Sequence, residues 1–164
     1  MNTGITIKKL AFILAAAVLL SAFAVGCSKE PAPKAHADVN EVYQKLIATG
    51  YLPELTAVPE RDLSEIYGID KGKLSQWIFA MSENYSIDAG EVAIFEVNDE
   101  AYAPELAQKL QNHIDRIKSV SESYSPEQSA KLEPVEVKTV GSYVYLIVGE
   151  NYNELMKIMR DNIG

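Results

Sequence analysis

The stretch Glu91-Val92-Ala93-Ile94-Phe95-Glu96-Val97 is short, rich in β-favouring residues and apolar almost without interruption. A strand with one wet face alternates apolar with polar side chains, and this one does not. It is therefore expected inside a sheet rather than at its edge. Just upstream, Ser75 to Ser82 reads SQWIFAMS between Gly72 and Asn84, a second strand that pairs with the first through the Asn84 to Gly90 loop.

The pattern repeats downstream. From Pro134, Val135, Val137 and Thr139 alternate with Glu136 and Lys138, the signature of a half-exposed strand. Gly141-Ser142 suits a tight turn, and Ser142 to Val148, SYVYLIV, is again nearly all apolar and hence central. Between the two strand pairs runs the longest helix, about Tyr102 to Ser123, with Leu106, Leu110, Ile114, Ile117 and Val120 or Ser121 on one stripe. Pro104 is tolerated only in a first helical turn, so the helix starts near Ala101 to Ala103. Tyr124-Ser125-Pro126-Glu127 closes it and opens a brief helix to about Leu132.

Asp38 followed by Glu41 has the form of a capping box, which predicts a first helix from Val39 to about Thr49, stopped by Gly50. Glu60 to Tyr67 reads as a second, with Leu63, Ile66 and Tyr67 facing inward. Asn151 is expected to cap a last helix through Tyr152, Leu155, Ile158 and Met159. The order ααββαββα predicts an α+β fold: a two-layer domain whose mostly antiparallel four-stranded sheet is packed on helices, chiefly the long and the final one.

Ahead of this domain lie Lys8 and Lys9, an uncharged run from Leu10 to Val25, and then Gly26-Cys27-Ser28. Basic start, apolar middle and small residues before a cut make a secretory signal. The small residues before Cys27 fit the lipobox of bacterial lipoproteins, where the thiol is acylated and the chain is cut just before it. Two acyl chains, at about 0.8 kcal/mol per buried methylene, hold a protein stably at a bilayer where one does not. A competing cut after Ala22-Phe23-Ala24 would release a soluble protein with a free thiol. An uncleaved helix is disfavoured because the run is short for a hydrocarbon core of about 30 Å. The chain thus divides into a signal peptide (1–26), a lipidated cysteine with a Pro-rich tether (27–37) and one domain (38–164). Ser28 to Ala37, SKEPAPKAHA, extends at about 3.1 Å per residue, and His36 in it is expected to be solvated.

Composition excludes several classes. The 164 residues carry a formal net charge of −8, which loss of Lys8 and Lys9 with the signal takes to −10. So acidic a chain has no basic stripe for phosphate backbones, and no nucleic-acid partner is expected. Cys27 is the only cysteine, which rules out an internal disulfide, and with two histidines no structural zinc site is expected.

Four landmarks then stand in order: Ile66-Tyr67-Gly68-Ile69-Asp70, Gly90-Glu91-Val92-Ala93-Ile94-Phe95, Tyr124-Ser125-Pro126-Glu127-Gln128 and Val140-Gly141-Ser142-Tyr143-Val144. Together they resemble a domain of unknown function found in small lipoproteins of Gram-positive bacteria, across most of Leu55 to Arg160. The resemblance implies the lipid anchor, this fold and a Gram-positive envelope. It carries no catalytic or binding residue.

No serine sits in a nucleophile elbow and no glycine loop has phosphate-cradling spacing, so neither catalytic residues nor a cofactor are expected. Asp88, Asp99 and Glu100 lack the spacing of a calcium loop, and no metal is expected. His113 lies at the edge of the long helix's apolar stripe, with packing its simplest role and a pH-sensing or catalytic one the alternative. The candidate surface is aromatic: Trp77 and Phe79 share one side of their strand, Tyr143 and Tyr145 one side of theirs. If the two sides coincide and stay open, they form a patch for an envelope protein, peptide or glycan; the alternative is that the early helices cover it. The leading expectation is a non-catalytic binding or accessory module, held by membrane lipid through acylated Cys27 on the extracytoplasmic face of the cell membrane. The alternative is a small hydrolase using a carboxylate pair on envelope polymer.

Overall fold

The computed structural model describes residues 36–85 and 87–164, so the signal segment, Cys27 and most of the tether lie outside the described residues. The fold is α+β, with five helices among the described residues and a five-stranded, wholly antiparallel sheet in the order β1-β2-β3-β5-β4. β2 (Leu74–Met81), β3 (Glu91–Val97), β4 (Lys138–Val140) and β5 (Tyr143–Val148) are the four expected strands, and every residue of β3 and β5 is buried. β4 is shorter than its alternating pattern suggests, because Val135 leaves the sheet and packs into the core ahead of it.

The fifth strand, β1 (Thr56–Ala57), pairs with Met81 and Ala80 of β2. It was not expected. Two residues set between Pro53 and Pro59 have no period of their own, and only the pairing with β2, continued by Val58 N–H donating to Phe79 O at 2.8 Å, makes them a strand.

Side chains alternate across a strand, so each central strand presents two apolar faces and both must be covered. On one side Ala93, Phe95, Val97, Val144, Leu146 and Val148 pack with α3 (Ala103–Tyr124) and α4 (Pro126–Leu132). On the other, Val92, Ile94, Tyr143, Tyr145 and Ile147 pack with α1 (Val39–Ile47) and α5 (Tyr152–Asn162). The expected pair of layers is therefore three, with the sheet in the middle. The long and final helices cover it from opposite sides.

The helices follow their local signals with instructive departures. Asp38 caps α1 by accepting from the Asn40 and Glu41 N–H groups at 2.8 and 3.1 Å. Gly50, at φ +71°, lies beyond an end reached at Ile47 rather than Thr49. α2 (Glu60–Glu65) buries Leu63, but Ile66 is 59% exposed. The helix has stopped before that residue, and Gly68 (φ +65°) turns the chain so that Ile69 N–H reaches Leu63 O at 2.7 Å and Ile69 is buried instead. On α3, Leu106, Leu110 and Ile114 are buried; of the two residues that could continue the stripe, Val120 stands 55% exposed and Ser121 is half-buried. Asn151 precedes α5 in a left-handed conformation (φ 51°), and its side chain makes no capping bond; its carbonyl oxygen instead accepts from Glu154 N–H at 2.9 Å.

Candidate functional site

The four aromatic residues singled out above fall on different sides of the sheet. Trp77 stands opposite Phe95 and Phe79 opposite Ala93, whereas Tyr143 stands opposite Glu96 and Tyr145 opposite Ile94. Neighbouring β3 residues point to opposite faces, so the two pairs are separated by the thickness of the sheet. Phe79, Tyr143 and Tyr145 are 1%, 1% and 2% exposed, and Trp77 is half-buried. They form no shared open patch. The helices that cover the tyrosines are α1 and α5, the first and the last.

Tyr143 has a different task. Its hydroxyl accepts from Ala37 N–H at 2.9 Å and donates to Ala37 O at 3.3 Å. Gln76 does the same service beside it, accepting from Val39 N–H at 3.1 Å while its amide donates to Ala37 O at 3.4 Å and to Glu96 at 2.9 Å. His36 is solvated as expected, its side chain 90% exposed and 3.7 Å from the Glu96 carboxylate. The chain just ahead of α1 is thus fastened to the sheet. Replacing Tyr143 by Phe is expected to lower stability by about 1 kcal/mol and to speed amide exchange at Ala37. Unchanged exchange there would show that the hydroxyl holds nothing.

The polar chemistry in the interior lies on the α3 side. Glu91, fully buried at the start of β3, takes His113 Nε2 at 3.0 and 3.1 Å on its two oxygens and the Tyr85 hydroxyl at 3.1 Å. Burial raises the Tyr85 phenol far above its usual range, and the Glu91 charge and the hydrogen bond to it add to that. The Tyr67 phenol is raised too, by burial first and then by Glu91. Tyr67 and Phe79 stand edge-on to the His113 ring, at 5.2 and 6.0 Å between centroids. One atom in this cluster is unsatisfied: His113 Nδ1 is buried and has no hydrogen-bond partner.

Above the cluster the surface sinks into a depression of about 160 Å³, lined by Ile66, Tyr67, Lys109, Asn112, His113 and Arg116. Lys109 Nζ is held there by Glu105 and by the Gly68 carbonyl, each at 2.6 Å. No carboxylate stands within ion-pair distance of Arg116 among the described residues.

Nearby, Gln128 of α4 accepts from Ala89 N–H at 2.8 Å and donates to Ile87 O at 2.6 Å, tying the loop between β2 and β3 to that helix. Neither this clasp nor the Glu91 to His113 pair, 22 residues apart, was singled out in advance. The one local signal was His113 at the edge of the long helix's apolar stripe. Asp88 pairs with Lys131 at 2.8 Å and Asp99 caps the turn before α3. Among the described residues no group of three or more His, Asp and Glu side chains is placed to hold a metal ion.

A family model described as a domain of unknown function (DUF4358) matches residues 48–149, well over half of the chain. No curated protein and no solved structure matches it.

Proposed function

The chain belongs to the DUF4358 family, and on that premise we propose that it is a lipid-anchored module on the extracytoplasmic face of the cell membrane, one that binds a partner and does not transform it. The observation that carries this is the sequence Val25-Gly26-Cys27-Ser28 at the end of an uncharged run that two lysines precede. Among the described residues no helix is long and apolar enough to cross a membrane. A thioether-linked lipid on Cys27 is the anchor the reading calls for, and it needs no apolar surface on the domain.

Hydrolysis by a carboxylate pair has less support. An acid and a base acting on one glycosidic bond stand about 5 to 9.5 Å apart across a shared cleft. The two buried carboxylates among the described residues, Glu91 and Glu96, lie on opposite faces of β3, one against α3 and the other beside Ala37 and Gln76. Neither has the other within reach of a common substrate.

Cell fractionation tests the anchor. Replacing Cys27 by Ala is expected to move the protein from the membrane to the soluble fraction and to abolish incorporation of labelled fatty acid. Unchanged membrane retention would overturn the lipid assignment.

A further inference from the structure

The depression over His113 gathers positive charge in a chain that has little to spare. Arg116 lines it without an acidic partner among the described residues, and Lys109 shares the wall with only Glu105 as its counter-charge. Glu105 cannot serve both. A guanidinium presents paired N–H groups in a planar fork that fits the two oxygens of a carboxylate or phosphate.

His113 supplies an independent reason to look here. Its Nε2 is committed to Glu91, and its Nδ1, on a ring 95% buried, has nothing to bond. Buried polar atoms without partners are uncommon and costly, so each one asks for an explanation. A neutral ring that donates from Nε2 leaves a lone pair unused at Nδ1. An N–H at Nδ1 would be a donor without an acceptor, and the depression that His113 lines is the nearest place where one can be supplied.

We propose that this depression binds a small oxyanion, a carboxylate or a phosphate group, on Arg116 and Lys109, with His113 as its floor. The volume, on the order of a few water molecules, suits one such group and not a polymer segment. Ile66, 59% exposed on the same wall, offers an apolar contact to whatever carries the charge. The proposal deepens the binding-module reading and rests on it, yet it concerns different residues from the anchor. Failure of anion binding and failure of lipidation are therefore read separately, the first at His113 and the second at Cys27.

The full chain, labelled with nitrogen-15, is titrated with sodium phosphate and in parallel with sodium acetate, ionic strength being held constant with chloride. The chain has two histidines, so the ring signals of His113 and the exposed His36 serve as probe and internal control. The His113 ring is expected to shift saturably while His36 does not. Arg116 is exposed, so Arg116→Gln keeps the fold and is expected to weaken the midpoint by at least about tenfold. Lys157→Gln, which removes the same charge from α5, is expected to leave it unchanged. A response to both salts upholds the oxyanion class. A response to acetate alone narrows it to a carboxylate such as a peptide end, and to phosphate alone to a phosphoryl group. The proposal falls if neither salt moves His113 saturably, if His36 moves in parallel, or if Arg116→Gln and the unaltered chain titrate alike.

Discussion

Replacing Phe79 by alanine is expected to cost about 3–5 kcal/mol of stability, read as a fall in the urea midpoint at unchanged slope. The ring is 1% exposed and stands against Tyr67 at 4.7 Å and Phe95 at 5.9 Å between centroids, both edge-on. Removing it loses the transfer energy of a whole aromatic side chain and opens a cavity that the β2 backbone, pinned on both sides by β1 and β3, cannot close. A domain of this size is stable by about 5–15 kcal/mol in all, so the variant would sit near the edge of folding. The same substitution separates two roles for the residue. An aromatic anchor on an open patch would lose a partner and keep its stability, so a loss under about 1 kcal/mol would contradict the packing described here.

The second large effect concerns Glu91 and His113. Changing His113 to Leu removes one of the two side-chain donors to a carboxylate with no exposed surface, leaving only Tyr85. Breaking a buried pair in this way costs about 3–5 kcal/mol, because the remaining charge stays buried without its partner. Changing Glu91 to Leu is expected to destabilise comparably, since His113 Nε2 and the Tyr85 hydroxyl both lose their acceptor. The double substitution should be less destabilised than the sum of the two, by roughly 1–3 kcal/mol, because it deletes both ends of one interaction. Thermal or urea unfolding of the four proteins closes the cycle, and strict additivity would mean that the two side chains, though 3.0 Å apart, do not support each other.

The strands were legible where local pattern and burial agree. β3 begins and ends where the run EVAIFEV does, and β5 fills SYVYLIV but for its first residue, because both are apolar enough to be central and too short to be buried helices. That same continuity hid the sidedness of the sheet. A run without alternation does not say which side chains face which helix, so α3 and α5 were expected in one layer and Trp77 with Phe79 could be imagined beside Tyr143 with Tyr145. Only the register, Trp77 opposite Phe95 and Tyr143 opposite Glu96, separates them. β1 was invisible for a different reason: its two residues acquire strand geometry from β2 and have no pattern of their own. Of the interior polar cluster, His113 at the stripe edge could be seen along the chain. Its partner could not, because the contact joins a helix to a strand that the fold alone brings together.

The fastening of Ala37 to Tyr143 and Gln76 has a mechanical meaning. A tug applied through residue 36 is not absorbed by a loose hinge at the start of α1. It is delivered to β5 and β2, strands whose neighbours resist sliding along their whole length. The backbone at residue 37 is therefore a rigid mount, built into the sheet before the first helix begins.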